Sequence, residues 1–358
     1  MHLNQGFWDE RRVLLTGHTG FKGAWMALLL EKLGAEIMGV SLPPPTQPNL
    51  YETLFPWSNL SSSICDIRNQ QGIAEIIYDF DPEIVIHMAA QPLVRESYKI
   101  PVETIETNVM GTVHLLESLR TASNLEAILV ITTDKVYAHQ KEALDESASL
   151  GGQDPYSASK AAVEIITAAY DNSFFNQLDV KLCTARAGNV IGGGDWAKDR
   201  ILPDLWRSYQ SGQPVTLRYP EAVRPWQHVL DPLFGYLLYL EYMVEGNEEY
   251  PRALNFGPPI EPLRTVLEVA KKFSSVMGSP SLFILGEDPK YKENQFLLID
   301  ASLAKQTLGW RALLDVDTAI LWTCEWYKAY RDGKDMRKFS NEQLMKYLDF
   351  AQIPAASI

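Results

Sequence analysis

A tyrosine and a lysine stand four residues apart at the start of a segment with helical character. Tyr156 and Lys160 follow Pro155 in the pattern Tyr-x-x-x-Lys, and this spacing puts both side chains on one helix face. A nearby ammonium favours tyrosinate and lowers the pKa of a tyrosine. The pair therefore predicts a redox acid–base site, where the tyrosine takes a hydroxyl proton while a hydride leaves the same carbon.

A second polar cluster follows a predicted buried strand. Thr133, Asp134 and Lys135 come directly after the strand Ala127–Thr132. Active sites of open parallel sheets lie beyond the carboxyl ends of the strands, so an acid and a base at this position are candidates for chemistry. The alternative is that Asp134 and Lys135 form a solvated loop pair.

Three glycines near the start of the chain predict a dinucleotide site. Gly17, Gly20 and Gly23 form Gly-x-x-Gly-x-x-Gly between a predicted strand and a predicted helix. Such glycines permit a tight turn and a close approach of the backbone to a pyrophosphate. The helix N-terminus adds free N–H groups and the positive end of the helix dipole. A glycine turn without a ligand is the alternative, which the order of strand, loop and helix disfavours.

The residues around these glycines leave the choice between NAD and NADP open. An NAD site often has an acid about 20 residues further on, but Ser41 stands there between Val40 and Leu42. Its hydroxyl could bind either a ribose hydroxyl or a 2′-phosphate. Lys22 either favours a phosphate or is a solvated helix lysine.

Two further stretches are candidates for the same cofactor. Asp66 and Ile67 follow a strand end, where they would meet the adenine, although Asp66 could equally cap a helix. Ala89, Ala90 and Gln91 close a buried strand with small residues. Small residues suit a backbone that lies against a cofactor, and they suit tight packing equally well.

The elements that must position these residues alternate between strand and helix. Alternation of this kind predicts an α/β fold with a doubly wound parallel sheet covered by helices. The predicted strands are Arg12–Thr16, Glu36–Val40, Ile84–Met88, Ala127–Thr132 and Lys181–Arg186, and the predicted helices are Phe21–Lys32, Gln70–Tyr78, Val102–Ala122 and Ser157–Asn172.

The alternation ends after Arg186, where glycines and prolines become frequent. We expect a dinucleotide-binding domain over residues 1–187 that takes back a segment at about 226–257. Residues 188–225 and 258–358 are then expected to form a smaller substrate-binding domain.

Composition and charge exclude several classes of protein. The chain has 358 residues, of which 46% are hydrophobic, and a net charge of −13. A negative chain disfavours general binding to nucleic acid or membrane surfaces. The apolar stretches Ala24–Leu30 and Leu233–Leu240 are too short to span a bilayer. We therefore expect neither nucleic acid nor membrane as a partner.

Cysteine usage points to a reducing compartment. Cys65, Cys183 and Cys324 are far apart, odd in number and outside any Cys-x-x-Cys pair. This pattern predicts neither a disulfide framework nor a metal site. Met1–Arg12 lacks the apolar core of a signal peptide, and we expect a cytoplasmic protein.

The motifs together resemble those of the extended short-chain dehydrogenases/reductases. Within that family the sugar-nucleotide 4,6-dehydratases are the most similar, above all the branch that acts on CDP-glucose. The resemblance covers roughly residues 10–330 and rests on TGHTGFKG (16–23), HMAAQPLVR (87–95), NVMG (108–111), TTDKVY (132–137), PYSASK (155–160), RAGNVIGGGDWAKDR (186–200), RPWQHV (224–229), NFGP (255–258) and LGW (308–310).

The resemblance implies a Rossmann-type fold, NAD as the cofactor, and a role for each matching residue. Tyr156 and Lys160 would handle the sugar 4-hydroxyl and the nicotinamide ribose, and Thr133, Asp134 and Lys135 would face carbons 4 to 6 of the sugar. The substrate would be held by Arg95, Asn189, Arg200, Arg224 and Trp226. The cofactor would be held by Gly17, Thr19, Gly20, Phe21, Lys22, Gly23, Ser41, Asp66, Ile67, Ala89, Ala90, Gln91, Asn108, Thr132, Tyr156 and Lys160.

Each substrate residue has a plainer alternative. Surface arginines are usually solvated, but Arg200 and Arg224 lie in the irregular region, where a diphosphate needs bidentate donors. Trp226 could stack on a base or could belong to the core. Where many dehydratases have Asp-Glu, this chain has Asp134-Lys135, a pair that another dehydratase branch also shows, so the pair alone does not fix the sugar.

The resemblance implies a hydro-lyase that works through a transient oxidation at C4 of a nucleotide sugar. Tyr156 would take the 4-hydroxyl proton and Asp134 would assist the loss of water across C5–C6. In the family, the product supplies deoxysugars for cell-surface polysaccharides such as the O-antigen of lipopolysaccharide. A sugar-nucleotide epimerase is a near alternative, and a non-catalytic dinucleotide-binding regulator is an alternative of another class.

The two longest predicted helices indicate self-association. Val102–Ala122 and Ser157–Asn172 carry apolar residues over a wide arc, which predicts burial against the sheet and against a partner. The residues that widen the arc are Val109, Val113, Leu116, Ala161, Ile165 and Ala168. We expect a homodimer or a dimer of dimers, and one-sided packing in a monomer is the alternative.

Overall fold

The central sheet has seven strands that all run parallel. The structure, a computed structural model, describes residues 1–138, 143–246, 249–280, 282–286 and 296–352. The sheet strands are β1 (Arg12–Thr16), β2 (Glu36–Ser41), β3 (Leu60–Ile64), β4 (Ile84–His87), β5 (Ala127–Ile131), β6 (Lys181–Ala187) and β10 (Ala253–Phe256). They lie side by side in the order β10–β6–β5–β4–β1–β2–β3.

Two short parallel pairs lie outside this sheet. One joins β7 (Val190–Ile191) to β9 (Gln227–His228), and the other joins β8 (Val215–Leu217) to β11 (Phe283–Leu285). Residues of β8 and of the loops beside β7 supply one wall of the cleft described below.

Helices cover both faces of the sheet. The described helices are α1 (Gln5–Trp8), α2 (Phe21–Leu33), α3 (Leu50–Thr53), α4 (Gln70–Phe80), α5 (Val94–Ser97), α6 (Pro101–Ile105), α7 (Gly111–Leu119), α8 (Pro155–Ser173), α9 (Ile201–Ser211), α10 (Leu230–Val244), α11 (Val266–Met277), α12 (Ser302–Leu308), α13 (Val316–Arg331) and α14 (Met336–Gln352).

Alternate residues of each strand point to opposite faces, and this alternation divides the core in two. Val13 and Leu15 of β1 join a cluster with α2, α10, α13 and α14. Leu14 of the same strand joins a cluster with α4, α7 and α8. Helices therefore pack on both faces, which confirms the predicted doubly wound α/β fold.

The helix that carries Tyr156 begins at Pro155, two residues before the predicted start at Ser157. Asp154 caps α8 by accepting a hydrogen bond from Ser157 N at 3.0 Å, and Pro155 occupies the first helical position, where its missing N–H costs nothing. Since the cap and the proline fix this start, Tyr156 is held in the first turn of α8, in the cleft at the carboxyl ends of the strands.

The long helix predicted at Val102–Ala122 is interrupted. It consists of α6, a π-helical turn at Glu106–Met110, and α7. Single π turns disturb the helical register without ending the helix. Here the turn directs Asn108 inward, where its amide donates to Ser159 Oγ of α8 at 2.9 Å. The strand β3 was predicted only by its end before Asp66 and without bounds, because its sequence, LSSSI, is polar and lies at the edge of the sheet.

Candidate active site

One cleft of about 1340 Å³ opens at the carboxyl ends of the sheet strands. Its lining comes from the glycine loop after β1, the ends of β2 and β5, the first turn of α8, the run from Asn189 to Arg200, and β8. A parallel sheet binds ligands at this edge, and the cleft is large enough for a dinucleotide and a nucleotide sugar together.

The glycine loop is shaped for a close backbone approach. Gly17 has φ +78°, and a Cβ there would lie 2.8 Å from Ala89 N. A Cβ on Gly23 would lie only 2.0 Å from Gly17 O, so the loop can fold against α2 only with glycine at this position. With Gly20 as the N-cap of α2, free N–H groups face the cleft, and the loop fits a dinucleotide pyrophosphate.

Thr19, Phe21 and Ser41 line the cleft beside this loop. The hydroxyls of Thr19 and Ser41 are hydrogen-bonded at 2.7 Å, and Thr19 also donates to Leu42 O at 2.9 Å. The Thr19 hydroxyl proton therefore goes to the backbone, and Ser41 donates to Thr19. A lone pair of Ser41 stays available to a hydroxyl donor.

Asp66 and Ile67 lie further along the same cleft. Arg68 pairs with both carboxylate oxygens of Asp66 and holds the pKa of that group below its ordinary value. The alternative of a capping aspartate is wrong, because Asn69 caps α4 by accepting from Gly72 N.

Two residues predicted to bind the cofactor lie behind the cleft wall. Ala89 and Ala90 line the cleft, but Gln91 and Asn108 do not. The Gln91 side chain donates to Thr104 and accepts from Leu93 N, while Asn108 bridges the Gln91 backbone and α8. In the structure these side chains hold the wall in place, and their role toward the cofactor stays a prediction.

Lys22 is not a solvated helix lysine. Its Nζ lines the cleft and lies 3.3 Å from the hydroxyl of the buried Tyr236. Burial, together with the charges of Arg200 and Lys160, lowers its pKa to about 7, against the effect of Asp134. Lys22 therefore lies close to several of the predicted site residues.

Tyr156 and Lys160 are both buried and both line the cleft. The Lys160 ammonium donates to Ile131 O at 3.0 Å, and burial lowers its pKa to about 8. Burial raises the pKa of Tyr156 to about 12, against a hydrogen bond with Thr133 and the charge of Arg200. We expected Lys160 to lower the pKa of Tyr156, but in the structure burial raises that pKa.

The cluster after β5 is one hydrogen-bonded unit. Thr133 Oγ1 donates to Asp134 Oδ1 at 2.9 Å, and Lys135 Nζ donates to the same oxygen at 2.9 Å. Lys135 also reaches Asn189 Oδ1 at 3.3 Å. The Asp134 side chain is 1% exposed, so the solvated loop pair is wrong. Through Thr133 this unit contacts Tyr156.

The four predicted polar ligands of a substrate line the same cleft: Arg95, Asn189, Arg200 and Arg224. Arg200 pairs with Asp195 at 3.0 Å, and Arg95 lies 3.6 Å from Asp199. Trp226 also borders the cleft, but it is buried in the main core and donates to Arg264 O at 3.2 Å. Its placement fits the core alternative.

Sequence reasoning missed two residues of this site. Arg218 lines the cleft and pairs with Asp199 at 2.6 Å. No motif surrounds it, and only the pairing of β8 with β11 brings it to the cleft. Glu164 accepts a hydrogen bond from Thr132, a predicted cofactor residue, and its signal was its position one turn after Lys160.

The described residues include no group of three His, Cys, Asp or Glu side chains arranged for a metal ion. Among the same residues no helix is long and apolar enough to cross a bilayer.

Comparison with known sequences identifies a family. The model of the NAD dependent epimerase/dehydratase family matches residues 13–257. The CDP-glucose 4,6-dehydratase of Salmonella typhimurium (strain LT2) is 41% identical over 353 residues, which cover 97% of this chain and 98% of that protein.

Solved structures agree on the fold. An epimerase from Methanothermobacter thermautotrophicus has a TM-score of 0.81 at 21% identity and covers 93% of this chain and 96% of its own. The dTDP-glucose 4,6-dehydratase of Bacillus anthracis, solved in complex with NAD, has a TM-score of 0.75 at 20% identity and covers 91% and 99%. At these identities the likeness establishes the fold.

Proposed function

The chain belongs to the NAD dependent epimerase/dehydratase family, and on this basis we propose that it is a hydro-lyase that converts CDP-glucose to CDP-4-keto-6-deoxyglucose and water. One observation carries the proposal: Thr133 joins the redox tyrosine to an acid and a lysine at the inner end of one cleft. The 41% identity to the Salmonella CDP-glucose 4,6-dehydratase supports the nucleotide and the sugar.

Oxidation at C4 comes first. Bound NAD supplies a hydride acceptor that later returns the hydride. Tyr156, in its phenolate form, takes the proton of the sugar 4-hydroxyl at its phenolic oxygen, which contacts Thr133 through a hydrogen bond. Lys160, buried one helical turn further on, lies on the same helix face and is assigned to the nicotinamide ribose.

Elimination of water follows because a 4-ketone makes the C5 proton acidic. Asp134, in its protonated form, gives a proton to the 6-hydroxyl, which then leaves as water; the Asp134 side chain is 1% exposed. Lys135 is the candidate for taking the C5 proton. Its Nζ, held between Asp134 and Asn189, could instead remain charged and stabilise the enolate.

The nucleotide diphosphate is held by the wall that carries the arginines. Arg200 and Arg224 offer paired donors that suit phosphate oxygens, and Asn189 lies beside Lys135. We assign Arg95 and Arg218 to the same wall. Residues 188–225 and 258–358 are accordingly proposed as the nucleotide-sugar-binding part, and 1–187 with 226–257 as the NAD-binding part.

The alternatives are a dehydratase for another nucleotide-glucose, an epimerase, and a non-catalytic regulator. An epimerase has no use for Asp134 and Lys135 as a unit that eliminates water. A regulator has no use for a buried Tyr156 and Lys160. The buried hydrogen-bonded cluster therefore favours a dehydratase over both.

One experiment separates these functions. The enzyme is offered CDP-, UDP-, dTDP- and GDP-glucose, and water loss is followed by mass spectrometry. We expect loss of water from CDP-glucose, and C4-deuterated substrate should yield product with the label at C6 without exchange with solvent. Epimerised sugar, another preferred base, or product without the label would overturn the proposal.

We further propose a homodimer or dimer of dimers in the cytoplasm, feeding deoxysugars to cell-surface polysaccharide such as the O-antigen. The free thiols of Cys65, Cys183 and Cys324 support a reducing compartment. Exposed apolar side chains on α6, the π turn and α8 support self-association.

A further inference from the structure

A buried carboxylate continues the column of catalytic residues on α8. Tyr156, Lys160 and Glu164 follow each other at intervals of four residues, so they lie on one helix face. Glu164 is 4% exposed and does not line the cleft. Burying an ionised carboxylate is costly unless it is fully paired, so its partners indicate what it is for.

Both oxygens of Glu164 are occupied. Oε1 accepts from Thr132 Oγ1 and from Arg186 Nε at 3.0 Å. Oε2 accepts from Thr184 Oγ1 at 2.7 Å and from Arg186 Nη2 at 2.7 Å. Four donors favour the ionised form. One carboxylate thus joins α8 to the end of β5 and to β6.

The connection extends to the return strand of the sheet. Arg186 Nη1 donates to the Tyr137 hydroxyl at 3.0 Å, and that hydroxyl donates to Asn255 Oδ1 of β10 at 2.7 Å. Tyr137 ends the short helical turn that contains Asp134 and Lys135. The segment that carries the eliminating residues is therefore tied at both ends, through Thr132 and through Tyr137, to the Glu164–Arg186 pair.

The same carboxylate faces Lys160. Glu164 raises the pKa of Lys160 against the effect of burial. The other charged or titratable groups that Lys160 influences are Lys22 and His87. Around Glu164 lie Arg186, Tyr137, Cys183 and Tyr239.

We propose that Glu164 is a positioning residue for the reaction: it fixes the Thr132–Tyr137 segment against α8 and holds a negative charge one helical turn from Lys160. The inference rests on the proposed function, since it assigns Tyr156 and Lys160 to C4 oxidation and Asp134 and Lys135 to elimination. Glu164 does not contact the reacting atoms.

The test removes the charge of Glu164 while keeping its size. The variants are Glu164→Gln, and Glu164→Gln with Arg186→Met, which leaves no unpaired buried guanidinium. Asp171→Asn with Arg252→Met is the matched control, because Asp171 is a second buried carboxylate on α8 that pairs with an arginine at 2.8 Å. Glu164→Asp keeps the charge on a shorter side chain.

Two readouts are followed across pH with the NAD-loaded protein. One is single-turnover oxidation of CDP-glucose at C4, and the other is acetylation of Lys160, measured by peptide mass spectrometry. Lys160 acts as an ammonium and is acetylated as the amine, so oxidation falls and acetylation rises as pH passes its pKa. Removing the negative charge of Glu164 should move the pH midpoints of oxidation and of acetylation to lower pH by about one unit or more.

The control and Glu164→Asp should keep the wild-type midpoints, and Glu164→Asp should lose oxidation rate through position alone. A wild-type midpoint in both Glu164→Gln variants would overturn the inference. If Glu164→Gln does not fold, the double variant and Glu164→Asp decide, and a shifted midpoint in Glu164→Asp would also count against it. Wild-type protein that leaves CDP-glucose unoxidised would refute the proposed function, while the acetylation readout would still test Glu164.

Discussion

Among the single residues, Tyr156 depends most on its surroundings. Its phenol is buried and its pKa is raised to about 12, while Thr133 and Arg200 act in the opposite direction. The hydroxyl is the atom that the reaction needs, whereas the ring serves packing. The two roles can therefore be separated by removing the oxygen alone.

Tyr156→Phe should lower the rate of C4 oxidation by about 10²–10⁴-fold, the usual contribution of a general base. The melting temperature should change little, because the ring stays in its place. Steady-state turnover of CDP-glucose and circular dichroism melting measure the two quantities. Near-normal turnover in this variant would remove Tyr156 from the mechanism.

Lys135 is the residue whose role decides the elimination step. Lys135→Ala should still oxidise C4 but stop before dehydration, so the 4-keto sugar nucleotide accumulates. As the C5 base, Lys135 is also needed for exchange of the C5 proton with solvent deuterium, and the variant should lose this exchange. Lys181→Ala, at an ion pair with Asp179 at the opposite end of β6, is the control for loss of a lysine.

Mass spectrometry of the accumulated intermediate distinguishes the two roles proposed for Lys135, which are the C5 base and a charge that stabilises the enolate. Retained C5 exchange with blocked water loss would place Lys135 on the elimination side, as a charge that stabilises the enolate. Normal turnover of the alanine variant would exclude Lys135 from the reaction.

The residues that sequence predicted are those with local signals. Tyr156 and Lys160 could be predicted because their relation is fixed within one helical turn. Lys22 was predicted only through the resemblance, and its contact with Tyr236 could not be predicted because the two residues are 214 positions apart. Gln91 and Asn108 belong to a matching motif, yet a motif does not state whether a side chain faces the cleft or the wall behind it.

At the scale of elements, the buried strands were the most predictable. β1, β4 and β5 are mostly apolar because both faces of the sheet are covered. Only the end of β3 was predicted, because an edge strand needs little apolar surface. The π turn was not predicted, because its register depends on the contact of Asn108 with α8. Elements stabilised mainly by tertiary contacts leave little local signal.

The docking of α14 onto α10 depends on one buried acid. Asp231 Oδ1 accepts from Leu313 N at 2.7 Å and from the Tyr347 hydroxyl at 2.9 Å. Burial raises its pKa to about 7 from 3.8. Between these values the unfolded chain releases the proton that the folded chain keeps, so stability falls as pH rises through this window.

Asp231→Asn removes this dependence, since an amide does not titrate there. From about pH 4 to about pH 7 the wild type should lose stability that the variant keeps. The unfolding free energy of the variant minus that of the wild type should therefore increase over this range and then level off. Urea unfolding at both ends of the window measures it, with Asp79→Asn at an exposed position of α4 as the control. A difference independent of pH would show that Asp231 is ionised in the folded protein.

For the whole molecule, one core joins the parts of the chain that sequence separates. The largest cluster of buried residues runs from Leu3 to Ala351 and includes α2, α10 and α13. The N-terminal amine donates to Ala351 O at 3.0 Å. The sequence predicted where the alternation of strand and helix ends and that a segment at about 226–257 returns, but it did not indicate that α13 and α14 join the same core, because that depends on contacts hundreds of residues apart.

The wide apolar arc on which self-association was predicted is only partly exposed. Leu116 and Ala161 are buried within the chain. The outward side chains are instead Val102, Ile105, Met110 and Ile165, which are 67%, 47%, 43% and 60% exposed. Since α6, the π turn and α7 all contact α8, these residues share one surface, and a contiguous apolar surface marks an interface.

Ile165→Arg should therefore convert the protein to a monomer at micromolar concentration. A two-fold interface brings the same surface of both copies together, so one substitution introduces two charges into it. Light scattering measures the mass, and Tyr78→Arg, which changes an aromatic residue that is 85% exposed on α4, is the control that should keep the wild-type mass. Wild-type protein that is already monomeric would refute the predicted dimer, and a dimer that survives Ile165→Arg would place the interface on another surface.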